Sequence, residues 1–455
     1  MSHDQLGNPV STTDAGLIGA IDEFVGGMLT YGTGAARILK AASAAPDAPL
    51  ANAYAAALMM LMESPRGAAG ARSFLERAEA AAAGANPREQ ATIGFVRAWW
   101  DGDIERALKL SAEIVARWPR DLVMVRLGQY LAFNTGEFAA MLRLAQAAAP
   151  ASAETPYIHG MLAFALEQCH LLADAEAEAR QALEITEREP WAQHALAHVM
   201  LTQGRTDEGA RFMAGVAPTW AELNSFMAGH NWWHLALFLL DQGRSDAVLA
   251  AYDDHCWAGD RDYSQDQIGA VSLLARLELA GVDVGDRWID VADHLAARGP
   301  DVEQPFLALQ YLYGLARAGR AEAQPLLDAI RGRATAAPAF TRGVWAGAAA
   351  PAAEGIAAHL AGDHDRAIEA LDEAAPLMAR IGGSHAQRDL FAQIRLASVL
   401  AAGRWVEAQQ ALELRRAVTP HSVPVNQALA RVYAALGLPA QADEARRRAE
   451  ERLAA

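Results

Sequence analysis

Residues 190–213 read PWAQHALAHVMLTQGRTDEGARFM. An apolar stretch with helical spacing runs into a tight Gln203-Gly204-Arg205 turn, and a second helix rich in small residues follows. The same punctuation recurs at Asp101-Gly102-Asp103, Thr135-Gly136-Glu137, Gln242-Gly243-Arg244, Ala318-Gly319-Arg320, Ala361-Gly362-Asp363 and Ala402-Gly403-Arg404. The first two glycines are 34 residues apart, and the next gap is 68, or twice 34. Later gaps widen to about 40, with a weaker turn near Gly281, in the range of helix-turn-helix repeats. A proline often marks the end of a unit, as at Pro119, Pro190 and Pro420. One such hairpin cannot bury its own apolar face, so the pattern predicts an all-α, tetratricopeptide-like solenoid of about ten stacked repeats.

Composition agrees with helix. Of 455 residues 52% are hydrophobic and only 7% aromatic, with alanine dominant in runs such as AYAAALMMLM, and no stretch reads as a strand. The expected layout is an N-terminal cap or partly disordered segment over 1–25, then a single repeat domain over 26–455. The alanine-rich stretch Ala334–Pro351, with several breakers, is the expected site of a long connection. A net charge of −16, from 39 basic and 55 acidic residues with no basic stripe, argues against a nucleic-acid partner. Two cysteines, Cys169 and Cys256, make no disulfide framework and suit a reducing cytoplasm. Neither a signal peptide nor an apolar run of about 18 residues is present, so secretion and a membrane partner are not expected.

Function is indicated by histidines. His194 and His198 are spaced i, i+4, as are His230 and His234, and each member of the second pair lies 36 residues after its counterpart. His159 lies 35 residues before His194. On helices in register these imidazoles share one face, and in this type of solenoid the first helix of each pair lines the concave surface. His194, His198, His230 and His234 therefore offer nitrogens for a transition metal such as Zn or Fe, or act as acid, base and anion-binding groups without one. Asp253, in AYDDHCW, is the candidate to orient an imidazole. Asn231 and Trp233 stand beside the second pair, and one of the two tryptophans, Trp232 or Trp233, is expected in the core and the other in the groove. A third constellation, GGSHAQRD over 382–389, reads as a turn, a serine cap and a helix opening with His385, Arg388 and Asp389. If the superhelix curls over its groove, this helix closes it, and Arg388 grips a carboxylate or phosphate. No nucleotide-binding or serine-hydrolase motif is found.

The runs GMLAFALEQ, WAQHALAHVM, HNWWHLALFLLDQG, AYDDH and IGGSHAQRDLF together resemble the tetratricopeptide-repeat protein 38 family, from about Leu29 to the C-terminus. The resemblance implies a helical-repeat fold and a polar groove around His194, His198, His230, Asn231, His234, Asp253, His385, Arg388 and Asp389; it supplies no reaction. The chain departs from that pattern at Thr92, where members tend to carry a histidine, and at Ala308 and Gln310, where they tend to carry Asp and His. The expected function is binding of a small anionic molecule or a peptide in the histidine groove. The alternatives are a hydrolytic or oxidative enzyme, with or without a metal, in the same groove, and a protein-interaction scaffold.

Overall fold

A computed structural model of the chain describes residues 2–454. Contacts divide it into two compact units. The first comprises residues up to Leu196 with Ala221–Asn224 and Pro338–Thr341; the second comprises Ala197–Trp220, Ser225–Ala337 and the chain from Arg342 onward.

The first unit opens with an antiparallel hairpin of two-residue strands, β1 (Ser2–His3) and β2 (Pro9–Val10), where the sequence offered no strand signal. Its helices are α1 (Ala15–Thr30), α2 (Arg37–Ala44), and the pairs α3 (Pro49–Met60) with α4 (Pro65–Ala80), α5 (Pro87–Trp100) with α6 (Ile104–Arg117), α7 (Leu122–Asn134) with α8 (Phe138–Ser152), and α9 (Pro156–Gln168) with α10 (Leu172–Ile185). Helix α11 (Pro190–Thr202) begins in this unit.

The hairpin is bound to α5 by groups too short-range to leave a periodic signature. Asn86 Nδ2 donates to the Pro9 carbonyl (3.1 Å), and the Ser11 amide donates to Glu89 (2.8 Å). Beneath it Arg88, with no exposed side-chain surface, is shared between Asp4 (3.3 Å) and Asp121 (2.9 Å). A buried cation is tolerated only when its opposite charges accompany it.

The second unit contains the end of α11, α12 (Thr206–Val216), α13 (Ser225–Asp241), α14 (Ser245–Ala251), α15 (Ser264–Leu279), α16 (Arg287–Ala296), α17 (Pro305–Arg317), α18 (Ala323–Ala336), the second half of α19 (Ala339–Val344), α20 (Ala350–Leu360), α21 (His364–Ala374), α22 (His385–Ala401), α23 (Trp405–Val418), α24 (Val423–Ala435) and α25 (Pro439–Ala454). First helices pack on first helices, α13 on α15, α15 on α17, α17 on α20 and α20 on α22. The unit also closes on itself, with α15 against α22 and α13 against α24. Ser422 Oγ reaches Asp241 at 2.7 Å across 181 residues. Arg452 likewise pairs with Asp207.

The seven turn glycines quoted above all lie at positive φ, between 67° and 80°, the left-handed conformation in which a chain leaves one helix for an antiparallel partner. The 68-residue gap holds one more turn: His170 takes the left-handed position between α9 and α10 with φ 57°. Pro190 is the first residue of α11 and opens the next unit, because a residue without an N–H fits where that N–H has no partner. The expected long connection over Ala334–Pro351 is mostly helical. Alanine carries α19, a π-helical turn (Trp345–Ala349) and α20 through it, and Pro351 falls at the second position of α20. Among the described residues no helix is long and apolar enough to cross a membrane.

Candidate functional site

In the second unit, four of the histidines singled out in the sequence meet on α11, α13 and α22. His198 and His234 have no exposed surface, and their ring centroids lie 4.5 Å apart. His230, one turn before His234, is partly exposed and stands edge-on to it at 4.8 Å. His198, His230 and His234 each offer a ring nitrogen, and these atoms lie within 4.8 Å of one another. His385, first residue of α22, faces His198 at 5.3 Å and bonds Thr202 Oγ1 through Nε2 at 2.8 Å. The unit thus closes over its histidine helices with the GGSHAQRD segment.

Local chemistry fixes that segment. Ser384 caps α22 by accepting from the Gln387 amide (3.2 Å), and the Ser384 amide donates to the Gln387 side chain (2.9 Å), a reciprocal box. Gly383 stands at φ 73° in contact with Phe306, whose ring would lie 2.6 Å from an added Cβ. Only glycine brings the turn this close. Arg388 folds back to donate to the Gly383 carbonyl. Asp389 is held by Arg415 (2.6 and 3.2 Å) and accepts from Gln393 (2.6 Å).

Burial disfavours the charged forms of His198 and His230. Burial, then the charged forms of His234, His385 and His230 and the Arg388 guanidinium, holds His198 well below the ordinary histidine value. Burial lowers His230 to about 4. Burial works against the charge of Asp389, but Arg415, with smaller help from Arg276 and Gln393, outweighs it and keeps the carboxyl below its usual range. Asn231, wholly buried on α13, has no hydrogen-bond partner for either side-chain polar atom. An unsatisfied buried amide costs about 1–3 kcal/mol. Trp233 is the core tryptophan, 1% exposed and parallel to His230 at 5.5 Å. Trp232 is half-buried and stacks on His255 at 3.7 Å.

Asp253 and His159 are engaged elsewhere. Asp253 lies in the π-helical turn Tyr252–Cys256 that prolongs α14; it is exposed and bidentate to Arg287 (2.8 and 2.6 Å), so orienting an imidazole is not its role here. His159 belongs to the first unit, where its ring sits between Glu178 (2.7 Å) and the Ala153 carbonyl (2.9 Å), and both nitrogens serve the packing of its own hairpin. His194 stands one turn before His198 on α11 and is described with the first unit, stacked on Trp191 at 4.5 Å and tilted against Phe164 at 5.0 Å.

Sequence reading passed over three charged residues. In the first unit Arg126, 7% exposed, lies over the rings of Tyr31 (4.6 Å) and Trp191 (5.3 Å) and donates to the Tyr31 hydroxyl at 2.5 Å. Tyr31 itself is left-handed, with φ 57°. Beside them Glu189, with no exposed surface, accepts from the Ala192 amide at the start of α11, and burial raises its carboxyl to about 7. Gly160 makes room for it: a Cβ there would lie 2.8 Å from the carboxylate. In the second unit Arg276, 2% exposed, reaches the first turn of α22. Single charged letters inside apolar helices carry no spacing signal.

No protein-family model matches the chain. Among solved structures it is similar to human IFIT1, solved as a dimer with PPP-AAAA, at 12% identity over 95% of this chain and 95% of that one, with a TM-score of 0.42. It is also similar to yeast Tom70 (13% identity, 80% and 91% covered, TM-score 0.26) and to the TPR domain of P58(IPK) (11%, 80% and 93%, 0.22). By its own stacked helix pairs, the chain is an all-α helical-repeat protein.

Proposed function

We propose that the histidine cluster of the second unit binds a first-row transition metal through His198, His230 and His234. A further coordination position would be left for a small anionic ligand or substrate. One observation carries this reading: three imidazoles from two helices bring ring nitrogens within 4.8 Å of one another. Nitrogens about 2.1 Å from one tetrahedral ion stand about 3.4 Å apart, so the rings would close on the ion by up to about 1.4 Å. Three protein ligands with an open position is the arrangement of catalytic rather than structural zinc, and it supports polarising a bound group or activating water. The covering segment 382–389 adds Arg388, whose planar guanidinium suits a carboxylate or phosphate.

A second reading keeps the ligand and drops the metal. Asn231, a wholly buried amide without partners, supports a small polar molecule held directly by imidazole and amide groups.

Elemental analysis of protein purified without a tag or chelator separates the two. The first predicts about one equivalent of metal, retained through dialysis and lost in a His230→Ala, His234→Ala double variant that keeps its helical circular dichroism. Absence of metal after attempted reconstitution with Zn, Fe or Co would sink the metal reading and leave direct binding as the one to pursue.

A further inference from the structure

Arg276 occupies the last turn of α15, where a basic residue ordinarily complements the negative end of its own helix. It is instead buried and directed elsewhere. Its Nη1 donates to the Ser272 carbonyl (3.3 Å) and hydroxyl. Its Nη2 crosses to α22 and donates to the carbonyls of Ala386 (2.7 Å) and Gln387 (3.3 Å). The guanidinium lies 5.3 Å from the ring of Trp233, the residue stacked on His230.

This placement is poor for stability. All four acceptors are neutral, and Asp389, the acid whose charge acts on Arg276, is bonded to Arg415. Burial outweighs that attraction and lowers the guanidinium to about 10. The charge also sits by the first turn of α22, the end at which a helix dipole is already positive. Replacing a buried ion of this kind by a well-packed apolar side chain is often neutral or favourable. A flexible apolar chain would fill the space, but it would make no directed bond to the Ala386 and Gln387 carbonyls.

Those carbonyls belong to the turn that presents His385 and Arg388. We infer that Arg276 is a positioning residue of the histidine site: it fixes the first turn of α22 against Trp233 and thereby sets where His385 and Arg388 stand relative to His198, His230 and His234. The inference rests on the metal reading for its functional meaning, and on geometry for the holding itself.

The full-length chain tests both, with Arg276→Met and Arg276→Lys variants and Co(II) alone as the probe. Amide exchange across 385–390 reports on the holding, and Co(II) affinity with its visible spectrum reports on the site. Arg276→Met should speed exchange there relative to α24. It should also weaken Co(II) binding about 10-fold to 100-fold, the range seen when an outer partner of a metal site is lost. Arg276→Lys, which keeps one directed donor, should recover part of both. Unchanged exchange in Arg276→Met overturns the inference, and faster exchange with unchanged affinity and spectrum reduces Arg276 to a packing residue and overturns it equally. If the Met variant does not fold, the same two readouts on the Lys variant decide. A parent protein that binds no Co(II) refutes the metal reading, and the exchange data then judge the holding by themselves.

Discussion

Glu189 is a carboxylic acid with no exposed surface and one oxygen without a hydrogen-bond partner. Burial raises its folded-state value from 4.5 to about 7, against the weaker opposing pull of the Ala192 amide and Arg126. Below about pH 4.5 both folded and unfolded chains hold the proton and no penalty arises. Between there and about pH 7 the unfolded chain releases its proton while the folded one keeps it, so stability falls, by up to about 3 kcal/mol at 1.36 kcal/mol per unit. Above pH 7 the loss levels off. Glu189→Gln keeps an acceptor for the Ala192 amide and should remove this slope; paired melting curves at pH 5 and pH 7.5 check it, and equal slopes in both proteins would refute the assignment. The histidines were legible in the sequence because two of them per helix repeat at a fixed interval. Glu189, Arg126 and Arg276 were not, because a lone charge in or just before an apolar helix takes its meaning from whatever packs over it.

Turns are where the helix pairs could be read most directly, since a left-handed residue between antiparallel helices is nearly always glycine. The 68-residue gap hid one turn because His170 pays the left-handed strain that glycine avoids. Two of these glycines separate backbone conformation from packing. Gly319 has φ 67° and open space around it, so Gly319→Ala should cost only the left-handed penalty of about 1–2 kcal/mol. Gly204 has the same φ, but an added methyl would run into the carbonyl of Val418, at the end of α23. Backbone cannot yield as a flexible side chain does. Gly204→Ala should therefore cost at least about 1 kcal/mol more than Gly319→Ala, and denaturant melts of the two variants measure the difference. Equal losses would mean that α23 does not press on this turn in solution.

For the molecule as a whole, repetition foretold helix pairs and stacking but said nothing about closure within the second unit. Period and turn chemistry describe each hairpin against its neighbour, whereas α13 on α24 and α15 on α22 are contacts between hairpins far apart in the chain. Expression without α24 and α25 tests how much that closure matters. In an open array, loss of the last repeat disturbs only the one beside it. Here the truncation removes the partner of α13 and the Arg452 bond. Amide exchange in α13, which carries His230 and His234, should rise as sharply as in α23, and protection of α13 left intact would show that the closing contacts are incidental.

The bond between Thr202 and His385 spans 183 residues. At about 5–20 residues per second of synthesis, on the order of ten to forty seconds pass between emergence of the first partner and emergence of the second. For most of that interval, once His234 has emerged, the nascent chain carries its imidazole pairs without the helix that will cover them. Whatever these side chains hold can arrive during manufacture, before the covering helix has been translated, and the finished protein then needs no wide entrance to have been loaded.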